Sequence, residues 1–121
     1  MKLFIGGACQ GKTAFVRETE HLEPADCTPA EALHAPAVNH YHRLVRTLLA
    51  AGEDPKCFTE QLIRENPDAV ILCDEIGMGI VPVDPEERLW RESVGRCLKL
   101  LASASGQVSR IYAGIEVRIK P

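Results

Sequence analysis

Apolar residues fall along this chain in two kinds of pattern. Leu3-Phe4-Ile5 and Ala69 to Cys73 are short unbroken runs. Runs of that length without alternation predict strands buried on both faces, over 2–5 and 69–73. Elsewhere the spacing is helical. Residues 12–20 predict a helix directly after a glycine turn. Between Ala37 and Ala51, Val38, Tyr41, Leu44, Val45, Leu48 and Leu49 recur at three and four, an amphipathic helix ended by Gly52 and Pro55. Shorter spacing predicts a helix over 57–65, closed by Asn66-Pro67. A longer helix over 86–104 has Trp90, Val94, Cys97, Leu98 and Leu101 inward and Glu86 and Glu87 at the positive end of its dipole.

Prolines and glycines mark what lies between. The stretch 21–36 holds Pro24, Pro29 and Pro36 and cannot be one helix; it reads as a long connection. Residues 76–85, with Gly77, Gly79, Pro82 and Pro85, read as a loop. After Gly106, alternating runs at 108–112 and 115–119 flank Gly114 and predict a hairpin at a sheet edge. Strands alternating with helices predict an α/β fold of the P-loop NTPase kind, a mainly parallel sheet flanked by helices, in one domain over 1–121.

Composition narrows the function. Fourteen basic residues against 17 acidic ones give a net charge of −3. With no basic cluster and few aromatics, nothing favours a nucleic-acid partner. No run is long enough to span a membrane, and the N-terminal apolar run is too short for a signal peptide. Five widely spaced cysteines, without C-x-x-C, suggest neither a disulfide framework nor a zinc site, and reduced thiols point to the cytoplasm.

The most specific signal is Gly6-Gly7-Ala8-Cys9-Gln10-Gly11-Lys12-Thr13, which fits G-x-x-x-x-G-K-[ST] in full. Glycines let the backbone turn tightly and bring successive N–H groups against phosphate oxygens. The following helix adds its positive end. Lys12 reaches the β and γ phosphates, and the Thr13 hydroxyl is suited to Mg²⁺. The expected ligand is ATP or GTP with Mg²⁺. Asp74-Glu75 ends the second buried run, where ligands of open α/β sheets sit. One carboxylate would hold the magnesium shell and the other would take a proton from an attacking hydroxyl; the alternative is a solvated acidic turn.

Asp74-Glu75-Ile76-Gly77-Met78-Gly79-Ile80-Val81-Pro82 resembles the N-E-V-G-x-G-I-V-P segment of the adenosylcobinamide kinase/adenosylcobinamide-phosphate guanylyltransferase family. The likeness continues through Arg88 to Glu92, Gly95-Arg96, Leu101-Ala102, Ala113-Gly114-Ile115 and Arg118-Ile119-Lys120, and the N-terminal glycine segment is similar to G-G-A-R-S-G-K-S. The resemblance implies a homo-oligomeric kinase that phosphorylates the aminopropanol hydroxyl of adenosylcobinamide. In the family a guanylylated histidine then transfers GMP to that phosphate. In the kinase reading Lys12 and Glu75 serve catalysis, and Thr13 with Asp74 holds the metal.

The chain departs from that pattern between the glycine segment and Asp74. A middle strand of D-C-L-T type has no counterpart, and Asp74 stands where the family has Asn. The family's I-x-x-H-R-x-x-R segment finds an echo in His42-Arg43-Leu44-Val45-Arg46, with no W-x-T after it. His42 is thus either a nucleophile flanked by Arg43 and Arg46 or a surface histidine on an amphipathic helix. Arg88, Arg91 and Arg96 fit phosphate contacts or surface ion pairs equally, and Trp90 reads as core. A non-catalytic nucleotide- or corrinoid-binding protein is the alternative to the kinase.

Overall fold

The computed structural model describes residues 1–76 and 83–121. Gly77–Pro82, most of the glycine- and proline-rich stretch expected to be a loop, lie outside the described residues. Among these residues one six-stranded sheet forms in the order β2-β3-β4-β1-β5-β6. Its strands are β1 (Lys2–Gly6), β2 (Ala25–Asp26), β3 (Ala37–Asn39), β4 (Val70–Asp74), β5 (Gln107–Tyr112) and β6 (Ile115–Lys120). The first five run parallel, and β6 returns antiparallel along β5 at the sheet edge. The α/β architecture and its terminal hairpin are as the alternation of patterns predicts.

The continuous apolar runs are explained by burial on both faces. Leu3, Ile71 and Cys73 join a cluster with Tyr41, Leu44, Val45, Leu48, Phe58, Leu62, Val94, Cys97 and Leu101. Phe4, Val70 and Leu72, the alternate residues of the same strands, pack with Val16 and Ile111. The first cluster is closed by α3 (Tyr41–Ala50), α4 (Pro55–Glu65) and α5 (Pro85–Ala104), the second by α1 (Lys12–Thr19). A strand with neighbours above and below has no polar face, so its sequence shows no alternation.

Two expectations are corrected. Residues 37–39 are strand β3, not the first turn of a helix: Val38 lies opposite Ile71, and the helix begins at Tyr41. A buried β-branched residue fits both periods, and three residues are too few to display a strand's own. The break is made by His40, whose left-handed backbone (φ 52°, ψ 52°) turns the chain from strand to helix. The connection 21–36 also holds structure, β2 and the single turn α2 (Pro29–Ala32). Thr28 and Glu31 form a reciprocal cap there, and Pro29 occupies the first helical position. The same device, Asp then Pro, starts α4 at Asp54-Pro55 and α5 at Asp84-Pro85, one or two residues before the apolar spacing alone places them.

Candidate functional site

β1 and β4 are paired so that Gly6 lies opposite Asp74. The chain leaves β1 at Gly6 and enters α1 at Lys12, so the glycine loop spans the carboxyl end of the sheet's middle. Its turns are demanding. A Cβ on Gly6 would stand 2.4 Å from the Ile111 carbonyl oxygen, Gly11 has φ +88°, and Cys9 also has positive φ. The tip of the β5–β6 hairpin braces the loop: Ala113 N–H donates to the Gln10 side chain at 2.7 Å and Gly114 N–H to the Gln10 carbonyl at 2.8 Å.

Lys12 is nearly buried, at 7% exposure. Its ammonium donates to the carbonyls of Gly6 (3.2 Å) and Gly7 (2.7 Å) and lies 2.8 Å from Asp74 Oδ1. The ammonium is thus held among three oxygens at the edge of a cavity. That cavity, of about 520 Å³, is lined by residues Ala8 to Ala14 and by Arg17, Asn39, His40, Arg43 and Asp74. The residues singled out in the glycine motif and Asp74 are therefore brought together. Thr13 lines the same wall and takes a long contact, 3.5 Å, from the Asn39 amide.

Glu75 is carried to the other side. Its backbone N–H donates to the Gly6 carbonyl at 2.9 Å, and its carboxylate accepts from Arg110 of β5 at 2.8 Å. Consecutive strand residues point to opposite faces, so Asp74 and Glu75 cannot both face Lys12 while β4 keeps its register.

His42 is not a surface residue; the solvent-exposed reading of it is corrected. At 5% exposure it lies on the inner face of α3. Its Nδ1 accepts the backbone N–H of Asp74 at 3.2 Å, which leaves the proton of the neutral ring on Nε2, 3.5 Å from Asp74 Oδ2. Burial pulls its pKa below the usual histidine value, against the opposing pull of Asp74. Trp90 packs on it and donates its indole N–H to the His42 carbonyl at 2.7 Å. Arg46 stacks 4.2 Å over the Trp90 ring and pairs with Glu87 at 2.6 Å. Arg91 donates to the Ile76 carbonyl at 2.7 Å, fixing the chain just after β4.

Asn39 and His40, to which motif reading gave no role, form a cavity wall with Arg43, which it named only as a neighbour of His42. The signal was present but weak: β3 is short, and only its place beside β4 in the sheet brings its carboxyl end to the loop.

The donor chemistry suits Mg²⁺. Asp74 and the Thr13 hydroxyl border one cavity with oxygen atoms, and this ion characteristically takes one or two protein oxygens plus water and phosphate. Among the described residues no group of three or more His, Cys, Asp or Glu side chains forms a metal cluster, and no helix is long and apolar enough to cross a membrane.

Fold and site together define an α/β protein with a glycine-rich loop over a cavity at the carboxyl edge of its sheet. The sequence pattern of the cobinamide kinase / cobinamide phosphate guanyltransferase family matches residues 38–119, and the chain belongs to that family. It is similar to the bifunctional adenosylcobalamin biosynthesis protein CobU of Escherichia coli (strain K12), 41% identical over 51 residues. The CobU of Salmonella typhimurium matches to the same extent. The aligned stretch is 42% of this chain and 28% of either relative. The family match begins at Val38, after the glycine loop, so the loop is a separate line of evidence.

Proposed function

We propose that this chain binds a nucleoside triphosphate, ATP or GTP, with Mg²⁺ on the Gly6–Thr13 loop and transfers its terminal phosphoryl group to the aminopropanol hydroxyl of adenosylcobinamide. The observation that carries this reading is the Lys12 ammonium, held between the Gly6 and Gly7 carbonyls and Asp74 beside a cavity large enough for a triphosphate. Incoming phosphate oxygens replace the loop carbonyls as its partners. The ammonium then neutralises charge on the transferred group. Loop N–H groups and the start of α1 hold the remaining phosphate oxygens. Thr13 and Asp74 would hold Mg²⁺, which supplies further charge neutralisation when bound.

Asp74 is positioned from two sides, by Lys12 on one oxygen and His42 near the other. In this reading His42 is a positioning residue and the guanylyltransferase step is reduced or absent. Glu75 acts as the proton acceptor only if it leaves Arg110. Binding of the magnesium nucleotide by calorimetry, followed by a phosphorylation assay with adenosylcobinamide, tests the proposal. Absence of nucleotide binding by the folded protein would end it. Binding without product would favour the non-catalytic alternative.

A further inference from the structure

A second, smaller cavity of about 190 Å³ adjoins the loop cavity, and Asn39, His40 and Arg43 line both. Its far side is made by Asp26, Leu44 and Thr47. Between the two stands a histidine–carboxylate pair: His40 Nδ1 is 2.5 Å from Asp26 Oδ1. An ionised carboxylate only accepts, so Nδ1 carries the proton and Nε2 is left with its lone pair free to take another.

The pair is built by the fold. Asp26 and Asn39 are opposite each other in the β2–β3 register, which brings Asp26 alongside the residue next to His40. His40 sits in the left-handed region, where a side chain is disfavoured, and its N–H is bonded to the Asn39 side chain at 2.9 Å. Strained backbone of this kind persists where surrounding structure enforces it, and it gathers at functional sites. Among the described residues, the charged and titratable groups on the ring's side of the fold are Asp26 of β2 and Cys27 after it, His42 and Arg43 of α3, and, across the loop cavity, Lys12, Arg17 and Asp74, with His42 edge-on at 5.6 Å between centroids.

We propose that the smaller cavity receives the hydroxyl-bearing arm of the acceptor and that His40, oriented by Asp26, is the general base of phosphoryl transfer. This rests on the kinase reading above and names its acceptor subsite. A cavity of this size is below the range that encloses a drug-sized ligand, so it admits a short alcohol arm and not a whole corrinoid. The acceptor O–H proton passes to His40 Nε2. The acceptor oxygen bonds to the γ-phosphorus, the bond from that phosphorus to the β-bridging oxygen breaks, and the nucleoside diphosphate leaves. The imidazolium returns its proton to solvent. Arg43, on the wall common to both cavities, is placed to hold an oxygen of the group in transit.

The experiment measures adenosylcobinamide phosphorylation with magnesium nucleotide by wild type, His40→Ala and Asp26→Asn, the last a change at an exposed side chain that spares the fold. Nucleotide binding by the wild type is measured separately; its absence would sink the kinase reading itself. The expected result is a fall of roughly 10²–10⁴-fold in turnover for His40→Ala, a positioned acid or base contributing about that much. Added imidazole restores at least tenfold, and Asp26→Asn falls at least tenfold. A wild type that binds nucleotide but makes no product, turnover within threefold of wild type in both variants, or no imidazole rescue would overturn the base assignment. So would label from the α-phosphate covalently held on His40, which would make the ring a nucleophile.

Discussion

Lys12 Nζ lies 2.8 Å from Asp74 Oδ1, with the side chains 8% and 18% exposed. Two opposite charges this sheltered depend on each other. Removing one strands the other, and truncating one partner of a buried, hydrogen-bonded charge pair costs roughly 2–5 kcal/mol. Lys12→Ala is therefore expected to weaken magnesium-nucleotide binding by at least about tenfold, near 1.4 kcal/mol. Asp74→Asn is expected to lower magnesium-dependent turnover. Calorimetry on folded variants checks the first and an assay across Mg²⁺ concentrations the second. Equal nucleotide affinity in wild type and Lys12→Ala would remove the loop from the binding site.

Two glycines, one at the start of the loop and one in α5, yield a test of the fold with opposite signs. A Cβ on Gly6 meets the Ile111 carbonyl oxygen at 2.4 Å, backbone that cannot swing aside without disturbing β5. Gly6→Ala is expected to destabilise by about 1–3 kcal/mol, the usual range for overpacking. Gly95, inside α5, has nothing within 4 Å of its Cβ position. Gly95→Ala is expected to stabilise by about 0.5–1 kcal/mol, because alanine loses less backbone freedom in a helix. Urea unfolding of both proteins gives the two signs, and a neutral Gly6→Ala would mean that the loop leaves β1 differently.

Thiol chemistry separates four of the five cysteines. Cys9 is exposed in the glycine loop and lines the cavity, and Cys57 is exposed on α4. Cys73 and Cys97 are buried; burial pushes the Cys73 thiol up to about 12 and raises that of Cys97. Thiolate is the reactive form, so both are expected to resist a maleimide until the protein unfolds. Cys9 should react in the native protein and be slowed several-fold by saturating magnesium nucleotide, while Cys57 is unaffected. Peptide mapping of the labelled sites with and without nucleotide checks this. Undiminished labelling of Cys9 under saturation would place the nucleotide elsewhere.

Strands β1 and β4 and the turn of the glycine loop were legible because their signals are local. Leu3 to Ile5 and Ala69 to Cys73 are unbroken apolar runs, and the loop motif sets chemistry at fixed offsets within eight residues. β3 was not legible, since Val38 satisfies a helical period as well as a strand, and what decides is its pairing with Ile71. The placement of His42 failed for a related reason. Periodicity from Ala37 sets the helix four residues early, and only the turn at His40 fixes which side of α3 faces β4. The Asp26–His40 pair joins residues 14 apart through strand pairing. No sequence window carries that information.

Covalent guanylylation at His42 is expected to be absent. An attack on an α-phosphorus needs a ring nitrogen with a free lone pair, held in line at roughly 3–3.5 Å. The Nδ1 lone pair accepts the Asp74 N–H, a backbone group fixed in the strand that carries the site. Nε2 carries the proton and faces Asp74 Oδ2, whose other oxygen is bound to Lys12. Freeing Nε2 would require its proton to pass to the Asp74 carboxylate that Lys12 already holds. Trp90 packs against the ring, and His42 is 5% exposed and absent from the cavity wall among the described residues. Freeing it would require α3 to shift against β4, against the packing of Tyr41, Val45 and Leu48. Incubation with GTP labelled on the α-phosphate is expected to leave no acid-labile, alkali-stable label on the protein. Label that appears on the wild type, persists in His40→Ala and is lost in His42→Ala would show that the helix does move and that the second family reaction survives here.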